Sequence, residues 1–161
     1  MTEIRPAAPD DVAVILRFVR ELAEYERAPD AVKATGPMLA EALFGARPAA
    51  EAVLAMVDGA PVGFALFFHN YSTWEGRRGL YLEDLYVTPA ARGQGVGKAL
   101  LRHLAGLAVA RDCARFEWSV LDWNAPAVAF YRSVGAVGME EWTIQRLEGD
   151  ALARFAGAGA V

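Results

Sequence analysis

The sequence predicts a single α/β domain, residues 1–161, with a mixed central sheet flanked by helices. β-prone apolar runs and helical segments alternate along the chain, with no internal repeat and no long linker between them. The pair Asp58-Gly59 stands between two such runs and predicts an antiparallel hairpin. In the second half, a strand, a glycine-rich loop, a helix and a strand follow in that order, which is typical of a strand–helix–strand unit.

The first half of the chain predicts two helices and three strands. Apolar residues recur at helical spacing from Val12 to Arg27, and Asp10 or Asp11 is the expected cap. A shorter helix is expected from Thr35 to near Gly45. The strands of this half are expected at Ile4–Ala7, Ala52–Val57 and Val62–Asn70.

The second half begins with Tyr71 to Gly79, a polar segment that we expect to be a loop because it contains glycine and few β-branched residues. Asn124 is the expected cap of a helix that ends at the turn Ser133-Val134-Gly135. The other expected elements are a strand at Leu80–Val87, a helix at Gly95–Arg111, strands at Arg115–Leu121 and Glu141–Leu147, and an alanine-rich tail.

The composition excludes several classes of protein. A formal net charge of −4 gives no broad positive field for nucleic acid, and it mildly favours cationic partners. With one cysteine, Cys113, and two histidines, His69 and His103, neither a disulfide framework nor a zinc site is expected. Neither histidine is a local partner of Cys113, so we interpret it as a structural thiol. No segment resembles a signal peptide or a membrane span, so a cytoplasmic protein is expected.

The most informative segment is the glycine-rich loop Arg92–Lys98, with the sequence Arg-Gly-Gln-Gly-Val-Gly-Lys. Its alternating glycines leave backbone N–H groups uncovered beside the positive end of the following helix. Such a nest suits a diphosphate, to which Arg92 and Lys98 could add full charges. The P-loop pattern fails because Ala99 replaces its Ser or Thr, and the dinucleotide fingerprint fails because Lys98 replaces its third glycine. A glycine-rich turn without a ligand remains the alternative.

These residues resemble the GCN5-related N-acetyltransferase superfamily, whose Arg/Gln-x-x-Gly-x-Gly/Ala signature is similar to Arg92–Gly97. The similarity extends to the diamine (spermidine/spermine) subfamily and its thialysine-acetylating branch. The further segments that carry it are Glu21–Glu26, Tyr71–Trp74, Tyr81–Pro89, Leu121–Asn124, Phe130–Ala136 and Glu148–Leu152. Ser72-Thr73 resembles the thialysine-type branch more closely than the polyamine pattern, which carries an acidic residue in this loop.

The resemblance implies the N-acetyltransferase fold, with a splayed pair of strands, and it implies acetyl-CoA as co-substrate with no metal. It also implies that the backbone of Leu85, Tyr86 and Val87 lines the pantetheine arm of the coenzyme. The residues implied to hold the pyrophosphate and complete the coenzyme cleft are Arg92, Gly93, Gln94, Gly95, Val96, Gly97, Lys98, Asn124 and Ala127. A homodimer is implied by the family and not by composition.

Two residues are implied to carry the proton chemistry. Glu83 matches the carboxylate that helps to deprotonate the amine, and Tyr131 matches the proton donor to the leaving thiolate. A primary alkylamine with a pKa near 10 is almost wholly cationic at neutral pH, so a proton acceptor is needed. From spacing alone, Tyr131 is more typical of a core aromatic residue beside Phe130, and the resemblance favours the catalytic role instead. Asp84 is expected on the opposite face of a regular strand, and therefore not paired with Glu83.

The expected acceptor is a primary amine on a small diamine, polyamine or lysine-like molecule. The residues expected to bind it are Tyr25, Glu26, Glu83, Glu117, Trp118 and Ser119. For Tyr25 and Glu26, a solvated helix end is the alternative of equal weight. A protein lysine or N-terminal acetyltransferase remains a second possible activity. A non-catalytic sensor of coenzyme A or polyamine is the third possibility, and the presence of both Glu83 and Tyr131 argues against it.

Overall fold

The structure is a computed structural model that describes residues 1–157. It divides into two compact units, of which the first is Met1–Leu121 and the second begins at Asp122. The last four residues of the predicted domain lie outside the described part of the chain. Among residues 1–157, no helix is long and apolar enough to cross a membrane.

A five-stranded mixed sheet forms the first unit, as the sequence predicts. The strands are β1 (Glu3–Pro6), β2 (Glu51–Val57), β3 (Ala60–Ser72), β4 (Arg77–Val87) and β5 (Phe116–Trp118). They lie in chain order across the sheet, and β1 to β4 pair antiparallel with their neighbours. The last pair, β4 and β5, is parallel, so the predicted strand–helix–strand unit is confirmed.

The helices are α1 (Val12–Tyr25), α2 (Gly36–Phe44), α3 (Val96–Ala110), α4 (Ala125–Ser133) and α5 (Gly149–Phe155). Thr35 caps α2, since its hydroxyl accepts a hydrogen bond from the Met38 amide at 3.4 Å. Asp11 precedes α1 but its side chain does not cap that helix. Its carboxylate instead accepts a hydrogen bond from the Ala8 amide at 2.7 Å and pairs with Arg5.

The two faces of the sheet bury separate sets of side chains. One face, here called the α1 face, packs against α1 and α2; its buried cluster includes Ile15, Phe18, Leu39, Leu43, Leu54, Phe64 and Tyr86. Phe67, Leu80 and Leu82 are also buried but lie outside this cluster. They belong to the opposite face, which α3 covers with Leu100 and Leu104.

A β-bulge at Glu83 interrupts β4. Leu66 pairs with Asp84 while the next residue of β3, Phe67, pairs with Leu82, so Glu83 has no partner in β3. Leu82 therefore lies on the α3 face, whereas Asp84 lies on the α1 face beside Leu66. The prediction that Asp84 and Glu83 point to opposite faces assumed a regular strand, and the bulge removes that assumption.

The splayed strand pair begins at the same place. β5 pairs with β4 only from Leu80 to Leu82, so the stretch from Glu83 to Val87 has an unpaired edge on that side. The Thr88 amide donates to the Val62 carbonyl at 2.8 Å, and hydrogen-bonding direction alternates along a strand. The backbone groups of Leu85 and Val87 therefore point towards the open edge.

Two elements of the sheet differ in extent from the sequence prediction. Most of the segment expected as a loop is strand, because β3 runs to Ser72 and β4 starts at Arg77. Cross-strand pairing extends this far since Ser72, 4% exposed, fixes the turn by accepting a hydrogen bond from the Glu75 amide at 3.2 Å. β5 has three residues rather than the seven expected, because β4 and β5 diverge after Leu82.

The expected last strand, Glu141–Leu147, is wrong. Its alternating pattern favours a strand, but a strand needs a neighbouring strand for its backbone hydrogen bonds, and the sheet of the described residues ends at β5. The expected alanine-rich tail contains the short helix α5 instead.

Candidate active site

Three carboxyl groups lie close together near the bulge of β4. Asp84 is on the α1 face, Glu83 beside it is exposed, and Glu26 follows the end of α1. Burial, followed by the negative charges of Glu83 and Glu26, raises the pKa of Asp84 to about 6. Burial also raises the pKa of Glu26. The group thus concentrates negative charge and includes one carboxyl that exchanges a proton near neutral pH.

This arrangement suits an alkylammonium ion. Negative charge next to the open edge of β4 attracts a cation, and a carboxyl with a pKa near 6 can take up a proton at pH 7 to 8. Asp84 was missed as a site residue because a bulge leaves no signature in the alternation of a strand. The acidic pair Glu83-Asp84 was the only available signal.

The glycine loop Arg92–Lys98 precedes α3, and two of its glycines are required by the backbone. Gly93 and Gly95 have φ angles of 75° and 80°, which side chains other than glycine seldom adopt. Gly97 lies inside α3 without such an angle, and a Cβ built there would meet only Val87, at 3.8 Å. The fold therefore does not require glycine at position 97. A ligand that approaches the first turn of α3 closely would require it.

The first turn of α3 suits a phosphate group. Gly95 stands at the cap position without a capping side chain, so the first amides of a 15-residue helix are left for another acceptor. Lys98 is exposed one turn further on. The side chain of Gln94 turns back to donate to the Ala90 carbonyl at 2.9 Å, and Val96 is buried. These residues fit the pyrophosphate of a coenzyme through backbone N–H groups and one ammonium.

The Arg92 side chain points away from this turn. It donates from Nε to the Val87 carbonyl at 2.9 Å, and its guanidinium lies 4.9 Å from the ring centre of Tyr25 and 5.6 Å from that of Tyr86. The Tyr86 hydroxyl donates to Glu21 at 2.7 Å; burial and this carboxylate raise the pKa of Tyr86 to about 12. Arg92 thus links the end of β4 to α1, beside a cavity of about 600 Å³ that these residues line with Arg17, Glu24, Thr88, Pro89 and Ala90.

Polar side chains continue along β4 and β5 on the α1 face. Tyr81 pairs with Glu117 across the parallel ladder, and the Tyr81 hydroxyl lies 2.9 Å from the Ser119 hydroxyl. Arg115 Nε lies 2.7 Å from Glu117 Oε1. Trp118 pairs with Leu82 and is therefore on the α3 face, with its ring 4.9 Å from that of Phe116. The structure brings Glu117 and Ser119 to the α1 face, where Asp84 also lies, but not Trp118.

The remaining candidates belong to the second unit. Asn124 caps α4 as predicted, because its Oδ1 accepts a hydrogen bond from the Ala127 amide at 3.4 Å. Tyr131 lies in α4, partly buried, and its ring centre is 5.6 Å from that of Phe130. Both interpretations of Tyr131 are compatible with this placement, so its catalytic role stays a prediction.

Cys113 has a histidine neighbour, contrary to expectation. Its Sγ lies 3.8 Å from His69 Nδ1, because β3 and the end of α3 meet there. His69 Nδ1 also lies 3.0 Å from the Gly79 carbonyl, which can only accept, so Nδ1 carries the hydrogen. His69 Nε2 accepts from Arg111, which pairs with Glu51. With both nitrogens engaged, His69 is no base for the thiol.

A metal centre finds no support in residues 1–157, where no group of three or more His, Cys, Asp or Glu side chains could hold an ion. The features that stand out suit organic ligands: an open strand edge, a helix N-terminus without a capping side chain, and a cluster of carboxylates. Together they suit a phosphorylated, amide-containing coenzyme and a cationic second substrate.

Comparison with known proteins agrees with this assignment. Residues 17–136 match the model of the Acetyltransferase (GNAT) family. The chain is 41% identical to thialysine N-epsilon-acetyltransferase from Sus scrofa over 96% of both chains. It is 30% identical to L-ornithine N5-acetyltransferase from Arabidopsis thaliana, over 94% of this chain and 86% of that protein. An integron cassette protein from the mobile metagenome of V. cholerae has a TM-score of 0.80 at 29% identity, covering 96% of this chain and 97% of that structure.

The chain belongs to the GNAT family and is an acetyltransferase. The mixed sheet and the open edge of β4 confirm the fold that the sequence predicted. Membership of this family implies acetyl-CoA as the acetyl donor.

Proposed function

We propose that this enzyme acetylates the terminal amine of a small lysine-like molecule. The observation that carries the proposal is the group of carboxyl groups formed by Glu26, Glu83 and Asp84 beside the open edge of β4. The relatives that act on thialysine and ornithine, as their names state, support an acceptor of this kind. A primary amine is common to these two molecules, and it is the group that a carboxylate cluster would attract and deprotonate.

The coenzyme would lie along the open edge of β4 and end at α3. Leu85 and Val87 offer backbone groups at this edge for the amides of the pantetheine arm, with Tyr86 between them. The residues from Gly93 to Lys98 would hold the pyrophosphate through backbone N–H groups and the Lys98 ammonium. Asn124 and Ala127 are assigned to the same cleft by the family resemblance. Arg92 would act by holding the end of β4 in place.

Two proton transfers would be needed, one from the acceptor ammonium and one to the leaving thiolate. When bound, acetyl-CoA supplies a thioester whose acetyl group passes to the amine nitrogen, with the coenzyme leaving as a thiolate. Glu83 and Asp84 together would bind the ammonium and accept one proton from it, directly or through water. Tyr131 would donate its proton to the departing sulfur and regain one from the second proton that the nitrogen loses as the amide forms. This is direct transfer in a ternary complex, with no covalent acyl-enzyme.

The experiment is an acceptor panel with acetyl-CoA, read by release of free thiol. The panel contains thialysine, lysine, ornithine, putrescine, spermidine and a lysine-containing peptide. We expect the highest kcat/KM with a lysine-like amino acid, and much lower values for Glu83→Gln and for Tyr131→Phe, each by about 10²-fold or more. Acetylation of the peptide alone would favour a protein acetyltransferase. Unchanged rates in both variants, or no thiol release with any amine, would overturn the proposal.

We further propose that residues 1–161 form one catalytic domain that works as a homodimer in the cytoplasm, without binding nucleic acid or a membrane. The family match spans the end of the first unit and the start of the second, which supports one functional domain. Large apolar side chains are exposed in the second unit, including Val137, Trp142, Ile144 and Phe155. Exposed side chains of this size support a contact with another chain.

A further inference from the structure

We propose that Arg115 and Glu117 bind the α-amino-acid head group of the acceptor, so that the enzyme selects amino acids with a terminal amine over simple diamines. This inference rests on the proposed function, since it takes Glu83 as the place where the reacting amine binds. It adds a second binding point on the same face of the sheet, formed by side chains of β5 and the residue before it.

The register of the strands places the two binding points at a suitable spacing. Glu117 pairs with Tyr81, and Tyr81 is two residues before Glu83 on β4. Two residues along a strand correspond to about 6.6 Å and adjacent strands lie about 4.8 Å apart, so the backbone positions of Glu117 and Glu83 are about 8 Å apart. An extended lysine or its thia analogue has a comparable length from its terminal nitrogen to its head group. Arg115 lies one step further, where its carbonyl accepts from the Leu80 amide at 3.0 Å.

Both charged side chains keep unused binding capacity. Their ion pair is made through Arg115 Nε and Glu117 Oε1, at 2.7 Å, with 43% and 36% of the two side chains exposed. Beyond the two atoms of this contact, Arg115 has N–H donors on its two terminal nitrogens, and Glu117 has a second carboxylate oxygen. A carboxylate can therefore bind the guanidinium and an ammonium can bind the carboxylate without breaking the pair.

The pair is held in place by its neighbours. Gly79 is buried, and a Cβ at that position would clash with Asn70 Oδ1 and come within 3.3 Å of Arg115 Cγ. The side chains of Asn70 and Arg115 therefore both pack over Gly79 and occupy the space that a side chain there would need. The Asn70 amide nitrogen lies 3.5 Å from Glu117 Oε1, which fixes the amide orientation, because the reverse would bring two oxygens together. Its Oδ1 is buried without a partner in the described chain.

This arrangement distinguishes classes of amine by charge. A zwitterionic head group places its carboxylate on Arg115 and its ammonium on Glu117, which matches both charges. A diamine can place its second ammonium on Glu117, but it offers no carboxylate to Arg115, whose like charge lies beside that ammonium. A lysine residue within a peptide has neither free head-group charge. The pattern therefore selects a free amino acid.

The test compares L-lysine or thialysine with the diamine that lacks its carboxyl group, in the wild type and in Arg115→Gln. We expect the wild type to prefer the amino acid by about 10- to 100-fold in kcat/KM, mainly through KM. Arg115→Gln should bring this ratio close to one. Arg102→Gln, an exposed arginine of α3 with the same change of charge, is the matched control and should keep the wild-type ratio.

The outcomes separate this inference from the proposed function. If wild type acetylates both amines equally, or if Arg115→Gln keeps the preference, the head-group site is overturned while amine acetylation stands. If no amine is acetylated, the proposed function is overturned, and the head-group site, which rests on it, is overturned as well. Thermal unfolding of Arg115→Gln checks the fold, and Arg115→Lys, which retains the charge, should recover part of the preference if the site is correct.

Discussion

At the scale of single residues, one extra residue in β4 decides which side chains the candidate site contains. Without the bulge at Glu83, Asp84 would share the α3 face with Leu82. The bulge moves it to the α1 face, where burial and two neighbouring carboxylates raise its pKa to about 6. The composition of the strand allowed either arrangement, because a bulge is set by pairing with β3. The sequence could therefore predict Glu83 but not its partner.

The effect of the neighbouring carboxylates on the pKa of Asp84 predicts how the activity changes with pH. In the wild type, kcat/KM should fall below about pH 6 as the carboxyl pair takes up a proton. The charge of Glu83 raises the pKa of Asp84, so Glu83→Gln should move this acid limb to lower pH, besides lowering the rate. Glu26→Gln should move it in the same direction by less, since its contribution is smaller. The measurement is kcat/KM against pH from 5 to 9.

Glu75→Gln, in the exposed turn between β3 and β4, is the control and should leave the limb in place. A limb that stays at the same pH in Glu83→Gln would show that Asp84 does not titrate with the reaction. Asp84→Asn separates the two carboxyl groups, because it removes the group with the raised pKa and should abolish the limb near pH 6 while Glu83 is still present.

At the scale of elements, the sequence predicted the helices and turns that depend on residues close together in the chain. The predicted helix from Val12 to Arg27 is α1, two residues shorter, and the hairpin turn at Asp58-Gly59 is as expected, since helical spacing and turn residues act within a few positions. The ends of strands depend on partners far away in the chain. β5 is therefore shorter than expected, and the segment Glu141–Leu147 forms no strand despite its alternation.

The glycine loop gives a prediction that belongs to this scale. Gly97→Ala should weaken binding of acetyl-CoA, because the added methyl group would lie in the first turn of α3, where we propose that the pyrophosphate binds. It should not harm the fold, since glycine within a helix is less favourable than alanine by up to about 1 kcal/mol. Gly106→Ala, in the middle of the same helix with nothing within 4 Å of the new methyl, is the matched control.

Calorimetric titration with coenzyme A and urea unfolding measure the two effects separately. Both variants should be as stable as wild type or slightly more stable, and only Gly97→Ala should lose affinity, by roughly tenfold or more. Equal affinity of the two variants would mean that the loop is a turn without a ligand, which was the alternative interpretation of the sequence.

At the scale of the whole molecule, the site lowers the stability of the fold. The unfolded pKa of Asp84 is near 3.9 and the folded pKa is about 6, so the folded state binds the proton more tightly. Stability is therefore highest at low pH for this group and falls as the pH rises from about 4 to 6. Two units of pKa correspond to about 3 kcal/mol, a large share of the 5 to 15 kcal/mol typical of a folded domain.

Asp84→Asn should therefore make the protein more stable at neutral pH while it lowers the activity. The neutral amide has nearly the same shape and removes the cost of the buried charge, so the free energy of unfolding should rise by up to about 3 kcal/mol at pH 7.5. At pH 4 the gain should nearly vanish, because the native carboxyl is then protonated. Urea unfolding at both pH values is the measurement, with the exposed Asp30→Asn as control. A gain that is equal at the two pH values would show that packing, and not the charge of Asp84, limits the stability of this site.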